Sequence, residues 1–217
     1  HQTIIGEEAK KQLALVGEYP DVVIGCCGGG SNFAGIAFPF FADKAAGKEI
    51  RLLAAEPSSC PTLTKGVYTW DWGDAVGHTP MMKMYTLGHD FMPPGIHAGG
   101  LRYHGDSALL SQLCKEGLID AMAVPQLETF DAGVLFARTE GIVPAPESCH
   151  AIAATVREAR KCIETGEPKT LLFNLSGHGH FDMASYDRYF KGELEDYSYP
   201  EAAIRESLSH LPKVEGF

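Results

Sequence analysis

The period of the apolar positions changes repeatedly along the chain, and each change marks an element. Between Glu7 and Val16, the residues Ala9, Leu13 and Val16 recur at helical spacing, with Gly17 placed to close the turn. Asp21 to Gly25 is a short β-branched run of the kind that forms a strand buried on both faces. After Gly28, Gly29 and Gly30 a helical pattern runs from Phe33 to about Ala46, and Arg51 to Ala55 gives a second apolar strand ending at Glu56-Pro57. Together these make one strand–helix–strand unit whose crossover is long enough for a helix.

From Pro57 to Gly105 no period is sustained, and prolines, glycines, histidines, Trp70 and Trp72 follow one another irregularly. An unpatterned stretch of this length within a compact chain reads as a functional loop region. Regularity returns in Ser107 to Glu116, where Leu109, Leu110 and Leu113 share one face. Ala121 to Pro125 predicts a strand. Phe130, Val134 and Ala137 predict a helix ending at Gly141, and Ile152, Val156, Ala159 and Ile163 predict another. Thr170 to Leu175 reads as a buried strand that runs into Ser176-Gly177-His178-Gly179-His180. A mixed helix from Phe181 to Phe190 follows, and residues 193–217 read as one peripheral, exposed helix. Strands alternating with helices predict an α/β fold: a mainly parallel sheet with flanking helices.

Composition narrows the function. With 217 residues, 45% of them apolar and 21% charged, and a mean hydropathy of −0.08, the chain is a folded unit of one large or two small domains. No apolar run approaches the roughly 20 residues that span a bilayer, so no membrane partner is expected. Eighteen basic against 28 acidic residues give a net charge of −10, which argues against a nucleic-acid partner. The six cysteines (Cys26, Cys27, Cys60, Cys114, Cys149 and Cys162) form no C-x-x-C pair and read as reduced thiols of a cytoplasmic protein. The chain starts at His1 without a targeting pattern, and it is read as a portion of a longer protein.

Two strand ends carry the candidate chemistry, because ligands of open α/β sheets collect beyond the carboxyl ends of the strands. At the first, Gly28, Gly29 and Gly30 lead into Ser31 and Asn32 at a helix start. Such a corner brings backbone N–H groups and the positive end of a helix to an anion, most simply a phosphate. Alternatively, the glycines serve only to pack strand against helix. No lysine stands between Lys11 and Lys44 for a nucleoside-triphosphate loop, and Phe33 occupies the place of the last glycine of a dinucleotide fingerprint, which leaves Glu56 a weak ribose-binding acid. At the second strand end, His178, His180 and Asp182 have the spacing of a metal cluster. It is similar to the H-x-H-x-D-H pattern of metallo-β-lactamases, except that Met183 replaces the last histidine. A metal-dependent hydrolase on these residues, with help from His97, His104 or His150, is therefore an alternative reading. A non-catalytic binding fragment is another.

Four segments in one order carry a resemblance: Gly28 to Asn32, Ala98 to Gly105, Glu140 to Ser148, and Asn174 to Gly177. Taken together they resemble the C-terminal portion of the tryptophan synthase beta chain family, in its divergent second type. The resemblance implies a pyridoxal-phosphate enzyme of the tryptophan-synthase fold type (fold type II), here lacking its N-terminal half. The implied activity is β-replacement, in which L-serine or phosphoserine and indole give L-tryptophan. By the same resemblance, Gly28, Gly29, Gly30, Ser31 and Asn32 would hold the cofactor phosphate, and Ser176 would face the pyridine nitrogen. A neutral hydroxyl there suits β-elimination and replacement over transamination. Glu147 would lie beside the cofactor ring, although it also reads as a helix-start acid favoured by the dipole.

Arg102 stands where the commoner type of beta chain has an acid. It would read an anionic substituent such as phosphate, or it forms a structural ion pair. None of the eleven lysines occupies a family motif, so the lysine that holds the cofactor covalently is expected to be absent and the chain alone to be inactive. A homodimer and an alpha-subunit partner are further implications, with Trp70, Trp72, Met81 and Met82 as the candidate contact region. Carbonyls near Gly28 and Tyr103 would line the family's monovalent-cation site.

Overall fold

The computed structural model describes residues 1–197 and 199–213. Helix α1 (Ile4–Leu15) precedes strand β1 (Val22–Cys26), which leads through the glycine corner into α2 (Ser31–Ala45) and back to β2 (Arg51–Pro57). A short helix α3 (Thr62–Lys65) and a hairpin of β3 (Val67–Trp72) and β4 (Met81–Thr86) follow. A single 3₁₀ turn at Gly99–Leu101 then precedes α4 (Ala108–Lys115). The second half comprises β5 (Asp120–Val124), α5 (Gln126–Glu140), α6 (Pro146–Thr165), β6 (Leu171–Phe173), α7 (Met183–Phe190) and α8 (Glu201–Ser209).

Strands β5, β2, β1 and β6 pair in that order, all parallel, which bears out the expected α/β class. All five residues of β1 are buried because both faces of the sheet are covered. On one face Val23, Leu52 and Ala54 meet Phe33, Ile36, Ala37 and Phe40 of α2. On the other, Val22, Ile24, Leu53 and Ala55 meet Ala151 and Ala154 of α6. Alternate residues thus serve opposite layers, so no polar position interrupts the run. By contrast, among the described residues β6 pairs only with β1 and its three side chains are half-buried, so the strand expected there is an edge rather than a fully buried one.

Two expectations are corrected. Residues 57–105 are not one loop: they hold α3 and the antiparallel β3–β4 hairpin. The inward positions of this hairpin include Asp71 and Thr86, fully buried beside Met84. Asp71 is kept inside by bonds from Thr86 Oγ1 (2.7 Å) and the Trp72 amide (2.9 Å) and by a contact with His89 Nδ1 (2.8 Å). A charge pointing inward inverts the pattern by which a strand is recognised. Nor is the tail one exposed helix. Leu194 is buried against Phe130, Cys149 and Tyr186, and the Glu195 carbonyl and Asp196 carboxylate accept bonds from Gln126 Nε2 (2.8 Å) and the Leu127 amide (2.9 Å) at the start of α5. Only then does α8 form, burying Ile204 among Cys60, Leu87 and Phe91. Residues 214–217 of the expected helix lie outside the described residues. Among the described residues, no helix is long and apolar enough to cross a membrane.

Phe40 is fully buried between α2 and the sheet. Phe40→Ala is expected to destabilise the fold by about 3–5 kcal/mol, read as a fall in the denaturant midpoint at unchanged slope.

Candidate functional site

Strand order decides where a ligand can enter. From β1 the chain steps outward to β2 and later β5, whereas β6 lies on the opposite side of β1. In an open parallel sheet such a reversal of strand order marks where a ligand crevice is expected, here at the carboxyl ends of β1 and β6. One connection is the glycine corner and the other is Asn174 to Gly179.

Two of the three glycines are demanded by packing. Gly30 has φ of 95°, in the left-handed region, and a Cβ there would strike Asp106 Oδ1 and lie 2.8 Å from Leu110 Cδ2. A Cβ on Gly28 would come within 2.7 Å of the Gly100 carbonyl oxygen and Leu101 Cα. The packing explanation thus accounts for residue type at 28 and 30, but not for the amides. Among the described residues, the N–H groups of Gly28, Gly29 and Gly30 have no hydrogen-bond partner. Ser31 and Asn32 open the 15-residue α2, where no carbonyl lies a turn earlier to receive theirs. Gly29 and Ser31 are exposed. Consecutive unpaired donors at the positive end of a helix form an anion site.

Asn32 behaves differently from the expectation for its side chain. Its Nδ2 donates to the Cys26 carbonyl (3.0 Å) and Sγ (3.2 Å), while its Oδ1 accepts from Asn174 Nδ2 (2.6 Å). The side chain ties together the ends of β1 and β6, which leaves only the main-chain amide for a ligand. Ser176, exposed at the crevice, has its Oγ 2.9 Å from Ser148 Oγ and 3.6 Å from Cys26 Sγ. The two strand ends singled out by sequence therefore share one wall.

Glu147 sits in the first turn of α6, as a helix-start acid would, and its Oε1 also accepts the Gly100 amide at 3.0 Å. Arg102 donates through Nη2 to the Pro93 carbonyl (2.9 Å), and its Nε is buried without a partner. No carboxylate forms an ion pair with Arg102 among the described residues, which removes the structural ion-pair reading. The ribose-acid reading of Glu56 fails too. Its carboxylate is buried, accepting from the Leu63 and Thr64 amides (2.8 and 2.9 Å) and Thr64 Oγ1 (2.5 Å) at α3. Burial pushes its pKa up to about 7.

Sequence reading missed Cys26, Ser148 and Asp106. The first two look like core-filling small residues, and nothing local signals that their polar atoms converge on Ser176. Asp106 is buried beside the glycine corner, where its Oδ2 accepts from Cys27 Sγ (3.1 Å) and its Oδ1 from the Ser107 amide (2.8 Å). Burial raises its pKa to about 7.

The histidines do not assemble. The His178 and His180 rings are tilted by 41° with centroids 4.4 Å apart, Asp182 opens α7, and His97 contacts Ser185 and Arg188. His104 meets the Trp72 carbonyl, and fully buried His150 meets the Pro146 carbonyl with its pKa pushed down to about 4 by burial. Among the described residues, no three His, Cys, Asp or Glu side chains are grouped to hold a metal ion, so the proposed hydrolase cluster loses its ligand set.

Residues 2–177 match the pattern of the pyridoxal-phosphate dependent enzymes. The chain belongs to this family. Its relatives within it include the tryptophan synthase beta chain 2 of Methanosarcina acetivorans, 65% identical over 195 residues, which are 89% of this chain and 44% of that protein. The protein of the same name from Aquifex aeolicus is 63% identical over 200 residues, 90% of this chain and 46% of that one. The chain thus spans about half the length of the curated relatives it matches. Among solved folds, an L-serine ammonia-lyase from Rhizomucor miehei superposes with a TM-score of 0.64 at 18% identity, covering 89% of this chain and 56% of that one. Maize serine racemase gives 0.61 at 21% identity, covering 88% and 53%. These likenesses bear out the fold-type II architecture. Pyridoxal phosphate is the cofactor of the family, and a row of unpartnered amides at a helix start has the chemistry that suits an anionic group such as its phosphate.

Two outcomes test this geometry. Gly30→Ala forces an alanine into the left-handed region and displaces Asp106; a loss of about 1–3 kcal/mol in stability is expected, together with loss of pyridoxal-phosphate binding measured by its fluorescence. Asp106, with its pKa raised on folding, favours the folded state fully below about pH 4 and loses that contribution as pH rises through about 7. Asp106→Asn removes this loss. Relative to wild type, the variant gains on the order of a few kcal/mol between pH 4 and 7.5, measured by urea unfolding at each pH.

Proposed function

We propose that this chain is the cofactor-phosphate portion of a tryptophan synthase beta-type enzyme that makes L-tryptophan from indole and L-serine or phosphoserine. The observation that carries the reading is the row of partnerless amides from Gly28 to Asn32 on the crevice that also presents Ser176. High identity to beta chains supports it. In this reading the main-chain amides of Gly28, Gly29, Gly30, Ser31 and Asn32, with the exposed Ser31 hydroxyl, hold the phosphate. Ser176 meets the pyridine nitrogen, and Glu147 lies beside the ring, its carboxylate positioned through the Gly100 amide. Bound there, pyridoxal phosphate supplies the electron sink for elimination and replacement at the β-carbon of an amino acid. The covalent lysine and the substrate-carboxylate segment come, on this proposal, from the rest of the relatives' length. A second portion of the protein therefore completes the site.

Arg102 bears on the substrate. A guanidinium with one bond to a backbone carbonyl and a buried, unpartnered Nε can still bind an anionic substituent. The exposed Met81, Met82 and Val76 around the β3–β4 hairpin support a contact surface for an alpha subunit or a second beta chain. A cytoplasmic location accords with the biosynthetic role.

The full-length protein, supplied with pyridoxal phosphate, indole and either serine or phosphoserine, is expected to form tryptophan, whereas this chain alone forms none. Arg102→Gln is expected to lower kcat/KM for phosphoserine about 10- to 100-fold, the value of a charge-assisted hydrogen bond, and to leave serine much less affected. Absence of tryptophan with both amino acids refutes the proposal.

A further inference from the structure

The polar atoms behind Ser176 form a directed chain, and its direction can be worked out by counting protons. Asn32 Nδ2 donates to Cys26 Sγ at 3.2 Å, so the sulfur is an acceptor there and its own proton must go elsewhere. The other partner of the sulfur is Ser176 Oγ at 3.6 Å. Cys26 is 2% exposed, and burial pushes its pKa up to about 11, so it keeps that proton at neutral pH.

Ser148 is fully buried in the first turn of α6, and its hydroxyl has Ser176 Oγ as its hydrogen-bond partner among the described residues, at 2.9 Å. If Ser148 accepted from Ser176, its own proton would be stranded in the core, at a cost of about 1–3 kcal/mol. Ser176 is exposed at the crevice, and its proton has somewhere to go. Ser148 therefore donates. Two donors, Cys26 and Ser148, occupy both lone pairs of Ser176 Oγ, and a hydroxyl has only two.

We infer that Cys26 and Ser148 are positioning residues that make Ser176 an obligatory donor toward the crevice, so that the group it meets there must be an unprotonated acceptor. This inference rests on the reading of Ser176 as the partner of the pyridine nitrogen. On that reading the pair keeps the ring nitrogen free of a proton. A serine alone does not do this, because a serine with open lone pairs can rotate and accept from a protonated ring instead. The chain of bonds continues through Asn32 to Asn174, so the direction is anchored in the same side chain that joins the two strand ends.

The test uses the full-length protein loaded with pyridoxal phosphate carrying nitrogen-15 in the ring, with the ring-nitrogen NMR shift followed against pH. Wild type is expected to show an unprotonated ring nitrogen wherever the protein is folded. In the Cys26→Ala/Ser148→Ala double variant the apparent pKa of the ring nitrogen rises by about one unit or more, a tenfold change in its protonation. Cys26→Ser and Ser148→Thr keep an O–H donor at each position and are expected to titrate like wild type. A double variant that binds the cofactor, melts as a folded protein and titrates like wild type overturns the inference. Should the double variant not fold, the same shift is read in Cys26→Ala and Ser148→Ala separately, and no change in either overturns it. Wild type that binds no pyridoxal phosphate sinks the cofactor reading itself, a result visible before any variant is compared.

Discussion

Backbone lies against backbone where the glycine corner meets the segment from Gly99 to Ser107, and most of the site is located by that contact. The Ser107 amide donates to the Gly29 carbonyl at 3.2 Å, Gly28 lies on Gly100 and Leu101, and Gly30 lies on Asp106. Approach this close is open only to residues without a Cβ. The same segment is tied from the other side by Glu147, whose carboxylate holds the Gly100 amide. The corner, the turn carrying Arg102 and Tyr103, and the start of α6 thus form one clamp around the crevice. The clamp also explains why the corner's amides stay open: the glycine carbonyls and Cα atoms are what the neighbouring segment contacts, and the N–H groups are left over.

The sheet was legible in the sequence because burial on both faces writes an unbroken apolar run, as Val22 to Cys26 and Leu52 to Ala55 show. The helices that cover it were legible by period. What escaped was structure built on polar atoms turned inward. In β3 the fully buried residue is Asp71, while Met81 and Met82 at the start of the paired strand are exposed. The tail reads as a helix throughout, yet Leu194, Glu195 and Asp196 are recruited by α5, a partner nearly seventy residues away that no local window contains.

The site divides along the same line. The anion corner was legible because glycines before a helix start state their geometry locally, and Ser176 because it ends a strand. The roles of Asn32, Cys26 and Ser148 were not. Each is fixed by a partner on another element, and Asn32 is the instructive case, since its side chain bonds the strand ends whereas its sequence position suggested a ligand. The scattered histidines make the converse point. Regular spacing in His178, His180 and Asp182 carries no chemistry once the backbone sends Asp182 to open α7.

One electrostatic feature bears on the whole site. The chain carries a net charge of −10, and two carboxyl groups, Glu56 and Asp106, are buried near the corner proposed to bind a phosphate. Ionised, Asp106 would set a negative charge against Gly30 and oppose an anion there. Burial raises both pKa values, so each carboxyl group holds its proton to far higher pH than a free one, and the amide dipoles of α2 face less opposition. The relation runs both ways. A bound anion disfavours ionised Asp106 and raises its pKa further, so phosphate binding and proton retention reinforce each other. Cys27 fits the same logic: its thiol, raised well above the usual thiol range by burial, remains a donor to Asp106 instead of adding a second negative charge. The corner is thereby kept receptive to an anion with no lysine or arginine within it, by withholding negative charge from its surroundings.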